Sequence, residues 1–133
     1  MAFARLINQA VGDAISGILL VESALRRRAW GLAEWAALYA DLPSRQLKVR
    51  VADRGAIQTT NAETHVAQPA GLQQLINAAV AGVPSGRSFV RPSGTEDVVR
   101  VYAEAETQEA ADALARAVAL LVHQHAGGVG PAP

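Results

Sequence analysis

The chain has 133 residues, half of them apolar and only 5% aromatic. We therefore expect a single domain with a hydrophobic core built from Ala, Val, Leu and Ile. Twelve basic residues balance twelve acidic ones, which leaves no overall field to attract nucleic acid or a membrane surface. The absence of cysteine excludes disulfides and thiolate metal sites. The apolar stretch 14–25 is too short to cross a bilayer and contains polar residues, so we expect no signal peptide and a cytoplasmic protein.

Helical spacing of apolar residues marks the first part of the chain. It predicts a short helical segment over residues 3–11, a break at Gly12-Asp13, and a stronger helix over residues 14–28. The basic last turn of that helix suits the helix dipole. A second short helix is predicted over residues 32–40, with three packing anchors: Trp35, Leu38 and Tyr39.

Strand patterns follow and alternate with two further helices. Residues 47–51 alternate apolar and polar side chains, as in a half-buried strand, and residues 57–60 suggest a short one. Helices are predicted over residues 72–80 and from the N-cap Thr107 to about residue 126. Two strand-like runs lie between them, at 88–90 and 98–103. The pattern predicts an α+β fold, a small antiparallel sheet of 3–4 strands with helices packed on one face.

The connection between the last two strands carries the strongest functional signal. It reads Arg91-Pro92-Ser93-Gly94-Thr95-Glu96, and Arg100 follows in the next strand. Guanidinium groups, hydroxyls and a glycine that allows close backbone approach are the groups that hold a phosphate. The alternative is a hairpin connection in which Pro-Ser-Gly serves turn geometry alone.

The run from Phe89 to Tyr102 resembles the phosphate-binding loop of the C-terminal domain of α-D-phosphohexomutases. Runs at 6–16, 41–49 and 126–130 resemble the branch of that superfamily specific for N-acetylglucosamine phosphates. The resemblance implies a phosphoglucomutase C-terminal-domain-like (TBP-like) fold preceded by helices left over from the preceding domain. The implied division is a helical remnant or linker at 1–30, a phosphate-binding domain at 31–127 and a flexible tail at 128–133.

Members of the superfamily are isomerases that interconvert sugar 6-phosphates and 1-phosphates by means of a phosphoserine and Mg²⁺. For this branch the resemblance implies N-acetylglucosamine phosphates, on the route to UDP-N-acetylglucosamine. The C-terminal domain grips the phosphate that is not being transferred. Carried over to this sequence, the grip consists of two guanidinium groups, two hydroxyls and the loop backbone, from Arg91, Ser93, Gly94, Thr95 and Arg100.

The family's reactive serine loop and Asp-x-Asp-x-Asp metal loop have no counterpart in these residues. We therefore expect no catalytic residue, no metal ligand and no cofactor in this chain. Mg²⁺ is expected only in the full-length enzyme, and no turnover is expected from this chain alone. The three histidines, at 65, 123 and 125, have no spacing typical of a zinc site.

The expected partners are a phosphosugar, bound weakly by the isolated chain, and the N-terminal domains of a mutase. The apolar helical face over residues 3–25 should pack on the preceding domain; in isolation it should be exposed, fold back on the sheet, or drive self-association. No nucleic acid or membrane partner is expected. A second hypothesis remains open, in which the chain is a stand-alone, non-catalytic module that binds a phosphorylated partner.

Overall fold

The computed structural model describes residue 10 and residues 12–133. The chain divides into two compact units, Met1–Asp41 and Leu42–Pro133. The predicted helical segment over residues 3–11 lies outside the described residues apart from Ala10. The short helix around Trp35 belongs to the first unit, and the predicted start of a phosphate-binding domain at residue 31 stays a prediction.

Helix α1, Ala14–Arg28, is the main element of the first unit and confirms the predicted helix. The Asp13 side chain caps it by accepting from the Ile15 N–H at 3.0 Å. The hydroxyl of Ser16 also donates to this carboxylate, which lowers the pKa of Asp13. Three large apolar side chains of α1 are exposed within the described residues, namely those of Ile15, Ile18 and Leu19.

Helix α2, Leu32–Ala36, is shorter than the sequence predicted. The Gly31 N–H donates to the Glu34 carboxylate at 2.8 Å, which fixes the start of the helix. Trp35 is 39% exposed, and Leu38 and Tyr39, which follow the helix, are 53% and 72% exposed. The prediction of these three residues as packing anchors was therefore wrong. Five residues give barely more than one helical turn, too few to bury an apolar stripe.

The second unit contains five strands, connected in part by a 3₁₀ turn at Arg54–Ala56. They are β1 (Ser44–Arg50), β2 (Gln58–Thr60), β3 (His65–Gln68), β4 (Arg87–Pro92) and β5 (Val98–Glu104). Three of them form an antiparallel sheet in the order β1-β5-β4, while β2 and β3 pair as a separate hairpin. The last strand in the sequence is therefore the central strand of the sheet.

Two helices, α3 (Leu72–Ala81) and α4 (Gln108–His125), pack against one face of this sheet. Alternation along β5 directs Val99, Val101 and Ala103 into the core, as predicted, where each is at most 1% exposed. The helices contribute the buried residues Leu72, Ile76, Leu114, Val118 and Val122. The opposite face of the sheet carries most of the charged strand residues, among them Lys48, Arg91 and Arg100. The predicted α+β architecture is thus confirmed.

A bidentate ion pair attaches α4 to β1. The Arg45 guanidinium donates to both oxygens of the Asp112 carboxylate, at 2.6 and 2.8 Å. This contact, with a further bond from Gln108, lowers the pKa of Asp112 to about 2.

The segment after α4 packs along the edge of β1. The Ala52 N–H donates to the Gly127 carbonyl and the Val129 N–H donates to the Arg50 carbonyl, both at 2.9 Å. Gly127 has a φ of 69°, a left-handed conformation that glycine adopts without strain. A side chain on Gly128 has no room, because a Cβ there would lie 2.3 Å from the His123 ring.

No helix in the described part of the chain is long and apolar enough to cross a membrane.

Candidate functional site

The hairpin loop between β4 and β5 is closed by its own backbone. The Ser93 N–H donates to the Val98 carbonyl at 2.9 Å, and the Val98 N–H donates to the Glu96 carbonyl at 2.8 Å. Ser93 is buried at 5% exposure, whereas the four loop residues that follow it, 94–97, are exposed. The loop therefore has a fixed base and an exposed tip.

Arg91 and Arg100 lie directly opposite each other across the β4–β5 pair. Partners in such a pair have Cβ atoms about 5 Å apart and share one face of the sheet. Both arginines are exposed and line one depression of about 260 Å³ on the open face, together with Gln46, Phe89 and Tyr102. Like charges placed opposite each other destabilise a sheet. Two guanidinium groups on one face are also able to bond one phosphate together.

The three predicted loop residues are also placed together by the structure. The Ser93 hydroxyl lies 3.5 Å from the Thr95 N–H, at the outer limit of a hydrogen bond. A Cβ added to Gly94 would meet no atom within 4 Å, so the space above the loop is open. The five predicted site residues therefore lie at one end of one hairpin, where the sequence predicted that they meet: Arg91, Ser93, Gly94, Thr95 and Arg100.

Two acidic side chains contact this site. The Glu63 carboxylate, from the turn between β2 and β3, lies 3.6 Å from the Arg91 guanidinium. The Glu96 carboxylate lies 3.5 Å from the ammonium group of Lys48. Among residues 10 and 12–133, Arg100 has no carboxylate within ion-pair distance.

Sequence reasoning missed both Lys48 and Glu63. Lys48 is the Cα partner of Arg100 across the β1–β5 pair, so Lys48, Arg100 and Arg91 form one row across three strands. The alternation of residues 47–51 placed Lys48 on a polar face, but the strand order that puts that face beside Arg100 had no signal in the sequence. Glu63 lies in a turn whose position over β4 depends on tertiary packing.

The far end of the same face is electrostatically balanced. Phe89 and Tyr102 stack with ring centroids 4.9 Å apart. The Tyr102 hydroxyl donates to the Glu104 carboxylate at 2.6 Å, and Arg87 pairs with that carboxylate at 2.8 Å. Both contacts lower the pKa of Glu104, the hydrogen bond from the Tyr102 hydroxyl more than the contact with Arg87. The net positive charge of the open face therefore lies at its loop end.

The residues present do not fit a Mg²⁺ ion. The described part of the chain has no group of three or more His, Asp or Glu side chains positioned to hold a metal. Two arginines, Arg91 and Arg100, flank the loop, whereas the ligands that Mg²⁺ prefers are oxygen atoms, carboxylates above all. We assign no metal ligand here and derive no step through a metal.

Comparison with known proteins gives consistent matches. The domain family described as "Phosphoglucomutase/phosphomannomutase, C-terminal domain" matches residues 46–121. Phosphoacetylglucosamine mutase of Oryza sativa subsp. japonica is 59% identical over 127 residues, and that of Homo sapiens 57% identical over 128 residues. Each match covers 96% of this chain.

A solved structure matches as well. The Aspergillus fumigatus N-acetylphosphoglucosamine mutase in complex with GlcNAc-6P and magnesium superposes with a TM-score of 0.80 at 49% identity, covering 96% of this chain. The chain spans about a quarter of the length of these relatives: 23% and 24% of the two sequences and 24% of the structure.

Proposed function

The chain belongs to the family of phosphoglucomutase/phosphomannomutase C-terminal domains, and from this premise we propose that it is the phosphate-gripping part of a phosphoacetylglucosamine mutase. The complete enzyme would interconvert N-acetylglucosamine 6-phosphate and 1-phosphate. In this proposal the chain binds the phosphate that is not being transferred. The remaining domains supply the reactive serine and the Mg²⁺ site, so the chain alone has no turnover.

The observation that carries the proposal is the direct opposition of Arg91 and Arg100 beside an open loop tip. Two guanidinium groups on one face supply charge-assisted hydrogen bonds to a phosphate dianion. The Ser93 and Thr95 hydroxyls, with the exposed backbone at Gly94, complete a cradle on the side of the loop. A fixed grip on one phosphate would position the other end of the sugar for reaction, which is a proximity contribution to catalysis.

The isolated chain should bind phosphosugars weakly. Each charge-assisted bond contributes about 1.5–3 kcal/mol, and ordering of ligand and side chains subtracts from the sum. In an open, solvated loop we expect a net binding free energy of about 4 kcal/mol, which corresponds to millimolar affinity. Tighter binding would need the other domains to close over the sugar.

A chimera tests the proposed function. The C-terminal domain of a related phosphoacetylglucosamine mutase would be replaced by residues 42–133, and turnover of N-acetylglucosamine 6-phosphate would be measured. We expect the chimera to be active, and Arg91→Met and Arg100→Met each to lower its kcat/KM about 10–100-fold, as loss of one charge-assisted bond predicts.

Arg50→Met is the matched control, because Arg50 lies on the same open face but pairs with Val98 instead of an arginine. It should change kcat/KM less than about twofold. A well-folded chimera that is active and insensitive to Arg91→Met and Arg100→Met would contradict the proposal.

A further inference from the structure

We propose that Lys48 is a further, positioning residue of the phosphate site, where its ammonium group neutralises the Glu96 carboxylate and holds it against β1. This inference rests on the proposed function. Lys48 belongs to the first strand of the sheet, far in sequence from the loop, yet its Nζ lies 3.5 Å from Glu96 Oε2. Its side chain therefore reaches across the sheet to the loop.

The register of the sheet places Lys48 in the same row as the two arginines. Its Cα partner is Arg100, whose partner on the other side is Arg91. Three cations thus occupy successive positions of one row, where neighbouring Cβ atoms are about 5 Å apart. Such a row destabilises the sheet unless an anion compensates it, and in the described residues only Glu96 and Glu63 do so.

Glu96 explains why a cation is needed at this position. It follows Thr95 directly and lies in the exposed part of the loop, so its carboxylate competes with or repels an anion bound there. An anion bound at Thr95 and the carboxylate of the next residue, Glu96, are closer than the Debye length at physiological salt, about 8 Å, so salt screens their repulsion only in part. By pairing with Glu96, Lys48 reduces that repulsion.

The test is a titration of the 133-residue chain with inorganic phosphate at constant ionic strength, followed by the amide signals of Gly94 and Thr95. Lys48→Met should weaken phosphate binding about three- to tenfold, whereas Lys48→Arg should stay within twofold of wild type. Adding Glu96→Gln to Lys48→Met restores the local charge balance and should return affinity to within twofold of wild type. A purely structural role for Lys48 predicts no such rescue.

Arg50→Met is the control for a general loss of positive charge on the same face of β1, and should stay within twofold of wild type. Unchanged binding in folded Lys48→Met, equal weakening by Arg50→Met, or failure of Glu96→Gln to rescue would each overturn the role of Lys48. No amide shift in the wild-type chain would instead contradict the proposed function itself, so the two failures are distinguishable.

Discussion

Replacing Gly128 with alanine should destabilise the second unit. A Cβ at this position would lie 2.3 Å from Cδ2, 2.4 Å from Cγ and 2.7 Å from Cα of His123. These are ring and backbone atoms of α4, which cannot move aside as the end of a flexible side chain can. The new methyl group must therefore push the post-helix segment away from the helix.

The displaced segment holds the edge of the sheet. Gly128 donates its N–H to the His123 carbonyl at 2.9 Å, and Val129 donates to the Arg50 carbonyl at 2.9 Å. Overpacking of this kind costs about 1–3 kcal/mol, and each lost hydrogen bond about 1 kcal/mol. We expect Gly128→Ala to lower the free energy of unfolding by about 2–4 kcal/mol and Tm by at least about 8 °C.

Urea and thermal unfolding measure this change, and hydrogen exchange of the Val129 amide reports detachment of the segment. Gly82→Ala is the control, because a Cβ there meets nothing within 4 Å and its φ is −89°. It should change stability by less than about 0.5 kcal/mol. If Gly128→Ala were as stable as Gly82→Ala, with Val129 still protected, this account of the segment would be refuted.

Two further predictions concern acidic side chains. Glu63→Gln removes a carboxylate that competes with phosphate for Arg91. Phosphate should therefore bind about two- to fivefold more tightly, which corresponds to the 0.4–1 kcal/mol, roughly, of an exposed ion pair. Isothermal titration calorimetry against wild type checks this, and unchanged or weaker binding would contradict it. Asp112→Asn removes the ion pair with Arg45. Because the folded-state pKa of Asp112, about 2, lies below its ordinary 3.8, the pair stabilises the fold above pH 3.8 and stops doing so as the pH falls through 2. The Tm difference between wild type and Asp112→Asn should therefore be full at pH 6, shrink as the pH falls towards 2 and vanish below it. A difference independent of pH would count against the ion pair.

Much of the local structure could be predicted from the sequence, because it depends on periodicity and capping. The helix over residues 14–28 begins after Asp13, whose side chain accepts the predicted capping bond. The alternation of residues 98–104 separates buried Val99 from exposed Arg100 without any knowledge of partners. The loop at 91–96 stood out because it concentrates groups that bind phosphate.

The arrangement of the strands could not be predicted. Nothing local to Lys48 shows that β5, late in the sequence, lies between β1 and β4. The contact of Glu63 with Arg91 likewise depends on where the β2–β3 hairpin packs. The length of α2 was overestimated, because the apolar residues after Ala36 suggested that the helix continues to residue 40. In the structure Leu38 and Tyr39 face solvent.

The most direct measurement is a titration of the wild-type chain with N-acetylglucosamine 6-phosphate, with unphosphorylated N-acetylglucosamine as the control, followed by backbone amide shifts. The phosphorylated sugar should shift the amides of Gly94 and Thr95, and those of Arg91 and Arg100, with millimolar affinity that weakens as salt is added. The neutral sugar should shift none of them at the same concentrations. Absence of these shifts at tens of millimolar phosphosugar, or equal shifts with the neutral sugar, would contradict a phosphate grip at this hairpin.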